Sequence, residues 1–220
     1  METNMHTVNL DGNSITVGKI VCIGRNYAEH IKELGNKTPD KPVLFMKPAN
    51  AILASGGIVV IPHYSNDCHH EIELAVLIGK EAKGVSQEKA LDHVAGYAVA
   101  LDLTLRDVQN TQKEKGLPWE IAKAFDTSCP LSTFVPAAQV SNPQNLQLKL
   151  TVNGQLRQNG NTSDMMLTIA ELIAAVSAYF TLEEGDVLLT GTPSGVGRIS
   201  SGDQLEASIE QLCTLKVTVA

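Results

Sequence analysis

The sequence has no run of lysine or arginine long enough to mark a phosphate backbone or an anionic lipid as partner. Its formal charge is −7, so no nucleic acid is expected to bind. No apolar run approaches the roughly 20 residues of a membrane span. The opening stretch METNMHTVNLDGN has neither the basic segment nor the apolar core of a signal peptide. A cytoplasmic location without a membrane partner is the expectation. The four cysteines, Cys22, Cys68, Cys129 and Cys213, are far apart and form no CxxC pair. That excludes a disulfide framework and leaves free, mostly buried thiols. No composition shift, repeat or low-complexity linker divides the 220 residues, so one domain over 1–220 is expected.

Apolar residues make up 43% of the chain against 19% charged, enough for a sizeable core and too many for disorder. Short β-branched or aliphatic runs between Gly, Pro and Asn turns predict strands at KIVCIG, GGIVVIP, IELAVLIG, GYAVALDLTL, LQLKLTVNG and GDVLLTG. VNLDGNSITV reads as a hairpin with a DGN turn. The clearest helix is capped among Ser163 and Asp164 and carries Met166, Ile169, Ile173, Val176 and Phe180 at helical spacing. Shorter helices are expected at YAEHIKEL and SQEKALDHV. The fold class is therefore mainly β or α+β with few peripheral helices, since strand–helix alternation is too sparse for a doubly wound sheet.

In HHEIELAVLIG, strand alternation turns Glu71 and Glu73 to one face and Ile72, Leu74, Val76 and Ile78 to the other. Two adjacent carboxylates repel unless a cation lies between them, although a solvated strand face would offer the same pattern. In GYAVALDLTLRD the same parity places Asp102, Thr104 and Arg106 together, so an aspartate inside an apolar run needs compensation. A salt bridge to Arg106 would supply it. Equally, Glu71, Glu73 and Asp102 form the hard, all-oxygen set preferred by Mg²⁺ or Mn²⁺, with coordination positions left for substrate. Zinc is disfavoured, because no cysteine has ligand spacing and adjacent His69 and His70 face opposite ways. His69 reads as a surface or loop residue, and His70 as one near the site.

In GRNYAEHIKELGN, His30 and Glu33 stand three apart, so on a helical turn the carboxylate can orient the imidazole as a general base. An ordinary exposed turn shows the same spacing. Gly24 and Gly35 flank the segment, which suits a mobile lid. Arg25, Lys47, Arg106 and Lys123 are candidate anion holders. LLTGTPSGVG offers backbone amides and the Thr192 hydroxyl, either to cradle a carboxylate or as a tight connection. It lacks the lysine of a nucleotide-binding loop.

Taken in order, GRNYAEHIKELG, LFMKP, HHEIELAVLIG, GYAVALDLTLRD, AKAFDTSCP and GDVLLTGTPSGVG resemble the fumarylacetoacetate hydrolase family over roughly Gly18 to Cys213. The likeness is to its small branch of acylpyruvases and oxaloacetate-processing enzymes. It implies a mixed β roll, usually a homodimer, with Mg²⁺ or Mn²⁺ at the positions of Glu71, Glu73 and Asp102. It also implies a lid carrying His30 and Glu33, Lys123 near the metal, and Arg25, Arg106, Gln109 and Thr192 around the substrate. Many relatives carry a hydroxyl residue after the KP of LFMKPAN, where Ala49 and Asn50 stand here.

The expected partner is a small anionic 2-oxo acid, whose enolate a chelated metal would stabilise. Acylpyruvate hydrolysis is the first expectation, with His30 and Glu33 activating water. Oxaloacetate tautomerisation or decarboxylation, isomerisation of longer unsaturated dioxo acids, and non-catalytic carboxylate binding are the alternatives. A structural calcium site is disfavoured by the lack of calcium-loop spacing.

Overall fold

VNLDGNSITV forms the hairpin its turn residues predict. Thr7–Leu10 pairs antiparallel with Asn13–Thr16. Asp11 and Gly12 both take positive φ, 50° and 84°, in the two-residue turn whose twist matches that of the strands. The computed structural model describes residues 6–220. Residues 1–5 of the stretch read as lacking a targeting segment lie outside the described residues.

Among the described residues, the largest sheet runs Val43–Pro48, Lys19–Gly24, Val187–Leu189, Ile72–Ile78, Val94–Leu101, Cys129–Leu131 and Ile52–Ala54. Val135–Pro136 attaches to Val94–Leu101. It is mixed: Val187–Leu189 runs parallel to Lys19–Gly24, and Cys129–Leu131 to Ile52–Ala54. A second sheet orders Gln155–Asn161, Gln147–Val152, Gln204–Ile209, Leu215–Val219 and Ile58–Val59. A small third sheet joins Thr104–Leu105, Cys68–His70 and Gly197–Ile199. With 40% strand and 22% helix, the fold is mainly β. No described helix is long and apolar enough to cross a membrane.

The alternation read in IELAVLIG is real, yet both faces are buried. Ile72, Leu74, Val76 and Ile78 join one core cluster with Leu172, Ile173, Leu148 and Leu150. Ala75 and Leu77 join another with Ile20, Cys22, Ala98, Ala100 and Leu189. Each large side chain so buried contributes about 1.5–3 kcal/mol. The only polar side chain of this strand is therefore Glu73 near its start, with Glu71 just ahead of it. Of the thiols, Cys22, Cys68 and Cys129 are buried and Cys213 is exposed.

Three local readings differ from expectation. The long helix runs Ile169–Tyr179 and is capped by Thr168, not by Ser163 or Asp164, which belong to the preceding tight turn Thr162–Asp164. Thr168 accepts from the Glu171 amide and Glu171 accepts from the Thr168 amide, a reciprocal capping box. The run GYAVALDLTLRD is not one strand. It stops at Leu101, resumes for Thr104–Leu105 in the third sheet, and Arg106 opens the helix Arg106–Lys115. His69 lies in the strand Cys68–His70, its Nε2 3.0 Å from Asp67 Oδ1, rather than in a loop.

Candidate active site

Register explains why the three acids meet. Ile72 stands opposite Leu101 in the antiparallel pair, and Glu73 opposite Ala100. One step further along, the Asp102 amide donates to the Glu71 carbonyl at 2.8 Å. Glu71 and Glu73, two apart on one face, thus converge with Asp102. Their carboxylate oxygens lie within 4.8 Å of one another, and all three side chains are buried. Strand parity does not bring Arg106 in, as the sequence reading had it; the first turn of its helix does.

The cations present are unevenly shared. Arg106 donates to Glu71 Oε1, and Lys123 Nζ reaches Glu71 Oε2 at 3.0 Å and Asp102 Oδ2 at 2.6 Å. Lys47 Nζ stands 2.9 Å from Asp102 Oδ1, a close charge approach too poorly aligned to count as a hydrogen bond. Burial would raise the Glu71 pKa, but Lys123 and Arg106 override it and hold the carboxyl well below its usual range. Burial would lower Lys123, but Asp102 and Glu71 raise it and keep the ammonium charged. Glu73 is different. It accepts only the Gly191 amide, at 2.7 Å, and no lysine or arginine among the described residues pairs with it. Burial and the charges of Asp102 and Glu71 push its carboxyl well above the usual value.

That imbalance is the test of fit for a metal. Were the acids a closed salt-bridge cluster, each would have its own cation. Instead one of three buried carboxylates is left without one, and Asp102 Oδ1 has no aligned donor. An all-oxygen set with one carboxylate that no cation reaches suits a hard divalent ion such as Mg²⁺ or Mn²⁺.

The other predicted residues fall into two groups. His30, Arg25, Arg106, Gln109, Lys123 and Thr192 line the same cleft as the carboxylates. His30 lies on the short helix Ala28–Glu33, buried, its Nδ1 3.3 Å from Glu33 Oε2. Gly35, at φ 61°, ends that helix and turns the chain away. Glu33 is itself held by the Gly195 amide, at 3.0 and 3.2 Å. Gln109 Oε1 accepts from Arg106 at 2.7 Å. Lys47 does not line the cleft. It is fully buried and donates to the main-chain carbonyls of Leu103 and Lys123 beneath Asp102. A lysine in LFMKP was expected to hold the substrate, but this one braces an acid from behind. His70 is buried outside the cleft lining, against Gln158.

The loop LLTGTPSGVG does cradle carboxylates, but they are the protein's own: Gly191 serves Glu73 and Gly195 serves Glu33. Thr192 lines the cleft with its hydroxyl already engaged, donating to the Ile72 carbonyl at 2.7 Å and accepting from Gln158 at 2.8 Å. Gln158 also accepts from the Ile72 amide at 3.0 Å, between the two glutamates. Asn26 ties the start of the short helix to Leu167 and Thr190 through its side-chain amide. Neither residue stood out in the sequence, because a glutamine in an edge strand and an asparagine in a turn ordinarily face water. Phe45, Trp119, Asn36 and Lys113 complete the wall.

Residues 19–220 match the family described as Fumarylacetoacetate (FAA) hydrolase C-terminal. The chain belongs to that family. Within it, the chain is 53% identical over 195 residues to an oxaloacetate tautomerase of Escherichia coli, covering 88% of this chain and 89% of that protein. It is 50% identical over 200 residues to the mitochondrial oxaloacetate tautomerase of Bos taurus, covering 91% and 90%. Among solved structures, it superimposes on the fumarylpyruvate hydrolase of Pseudomonas aeruginosa in complex with Mn²⁺ and pyruvate. The TM-score there is 0.96 at 37% identity, covering 100% of this chain and 97% of that one. The family is one of enzymes, and its members named here act on small 2-oxo acids.

Proposed function

We propose that this protein is a Mg²⁺- or Mn²⁺-dependent enzyme that interconverts the enol and keto forms of oxaloacetate or a closely related 2-oxo acid. The observation that carries the proposal is the convergence of His30, oriented by Glu33, on the same cleft as three buried carboxylates, one of them without a cation. Glu71, Glu73 and Asp102 would hold the metal. The ion, when bound, supplies a Lewis acid that favours the enolate over the neutral ketone.

The chain's own groups supply the rest. Arg106, its two terminal nitrogens held by Glu71 and Gln109, carries a fixed positive charge on the cleft wall that the substrate carboxylate would face. His30 takes the proton from the carbon beside the 2-oxo group, or returns it there, while Glu33 keeps the ring in one orientation. Glu33 is itself immobilised by the Gly195 amide, so the base is held from two segments of chain. Lys123, kept charged by Asp102 and Glu71, is the second proton carrier and can donate at the oxygen. Phe45 and Trp119 form an apolar wall that limits water near the reacting carbon.

A second reading is hydrolysis of acylpyruvates, favoured by the likeness to a fumarylpyruvate hydrolase solved with Mn²⁺ and pyruvate. It asks His30 to deprotonate water instead of carbon. Following the ultraviolet absorbance of enol-oxaloacetate alongside pyruvate release from an acylpyruvate tests both. The expected result is Mg²⁺-dependent loss of the enol signal, abolished by chelator and lowered by about 10²-fold or more in His30→Ala, the usual contribution of a positioned base. Enol decay at the uncatalysed rate, with brisk pyruvate release, would replace the first reading by the second.

A further inference from the structure

The helix Arg106–Lys115 turns more toward the cleft than its first residue. Arg106, Gln109 and Lys113 stand at i, i+3 and i+7, which places them on one helical face, and all three line the cleft. Arg106 is committed to Glu71 and Gln109. Lys113 is not: among the described residues no acid lies within ion-pair distance of it, nor of Arg25 across the cleft. Arg25 takes φ 63°, a left-handed conformation unusual for a non-glycine residue, and its Nη2 is held 3.1 Å from Asn36 Oδ1.

This chain has 24 acids to 17 lysines and arginines, so two cations left unpaired on one cleft do not reflect a shortage of partners. Burial, then the charges of Arg106 and Arg25, push the Lys113 ammonium below its usual pKa. The folded protein thus bears a concentration of positive charge that an anion would relieve.

We propose that Lys113, with Arg25, forms a second anion subsite that receives the distal carboxylate of a dicarboxylic 2-oxo acid. The inference rests on the oxaloacetate reading above and adds to it the residues that would hold the second carboxylate of such a dianion. Seven residues of helix separate Lys113 from Arg106, about 10 Å of axial rise, partly recovered because helical side chains lean toward the N-terminus. One carboxylate cannot serve both ends of that stripe. Two can, with the 2-oxo head near Arg106 and Lys123 and the tail at Lys113.

Calorimetric titration in the presence of Mg²⁺ tests this with two unreactive acids of equal chain length, 2-oxoglutarate and 2-oxopentanoate, which differ only in the distal carboxylate. The wild type is expected to prefer 2-oxoglutarate by about tenfold or more, the scale of one charge-assisted hydrogen bond. In Lys113→Met that preference falls to about threefold or less, 2-oxopentanoate binding stays within about twofold, and Lys113→Arg restores the preference. Equal weakening of both acids in Lys113→Met, or an undiminished preference, overturns the subsite. Equal binding of both acids by the wild type overturns the subsite alone. Binding of neither overturns the 2-oxo acid reading and the subsite with it.

Discussion

Glu73 shows how one side chain can be costly to the fold and necessary to the site. Glu71 and Asp102 are each matched to buried cations, whereas Glu73 has only the Gly191 amide and two like charges beside it. Without metal, its raised pKa means that the folded state binds this proton more tightly than the unfolded chain does. Replacing the acid by its neutral isostere removes that cost and leaves an oxygen for Gly191. Glu73→Gln is therefore expected to melt a few degrees higher than the wild type in chelator, where about 1 kcal/mol corresponds to roughly 2–4 °C for a chain of this size. It should also lose the gain in melting temperature that Mg²⁺ or Mn²⁺ gives the wild type. A variant that melts lower in chelator, or still responds to metal, would show that Glu73 is already satisfied within the protein. Glu33 poses a different question at this scale, because it touches both His30 and Gly195. Glu33→Gln should preserve the backbone contact and lower turnover by less than His30→Ala does, within the roughly 10²–10⁴-fold span of general-base effects. Stopped-flow rates on the two variants rank them.

Two short pieces of chain decide how well the elements are held. The capping box of Thr168 and Glu171 satisfies the first turn of the helix Ile169–Tyr179, and neither residue lines the cleft. Thr168→Ala should cost about 1 kcal/mol and leave turnover unchanged, which paired denaturation and activity measurements would reveal. Gly195 acts where fold and site meet. It takes φ 96°, and a Cβ there would collide with the Arg157 carbonyl oxygen, so Gly195→Ala must displace the loop. The expected result is a loss of about 1–3 kcal/mol together with reduced turnover, because the amide that holds Glu33 moves as well. Legibility followed the same line between local and non-local. The hairpin, the apolar alternation of Ile72–Ile78 and the short helix bearing His30 were readable, since turn chemistry and periodicity are written in neighbouring residues. The break after Leu101 was not, because Asp102–Arg106 looks like a continuing strand until Thr104 pairs with His69 in another sheet. The three acids were found by a parity argument correct for Glu71 and Glu73, but not for Arg106. Lys47 and Gln158 were misjudged or missed because their partners, Asp102, Ile72 and Thr192, lie more than 30 positions away in sequence.

Over the whole molecule, a net charge of −7 repels anions at a distance, so only the cleft's own cations and a bound metal can draw one in. The same acidic excess makes metal binding a matter of protons. Two groups titrate in opposite senses from the ordinary carboxyl value of 4.5. The depressed Glu71 contributes stability above that value, and loses it as pH falls toward its folded pKa. The raised Glu73 does the reverse: folded and unfolded states bind its proton alike at low pH, and the folded state loses ground as pH climbs from 4.5 through the raised folded pKa. Metal-free protein should therefore lose stability as pH rises above the ordinary carboxyl value of 4.5, with the slope set by the excess proton held in the folded state. Metal must displace that proton, so affinity for Mg²⁺ or Mn²⁺ should rise over the same range with up to about one proton released per ion. Melting curves across pH, with and without metal, would show the two curves diverging as pH rises, because saturating ligand adds a term that grows with affinity. In Glu73→Gln the alkaline loss of stability in chelator should disappear. Parallel wild-type curves at every pH would mean that the Glu73 proton and the metal do not compete for one place.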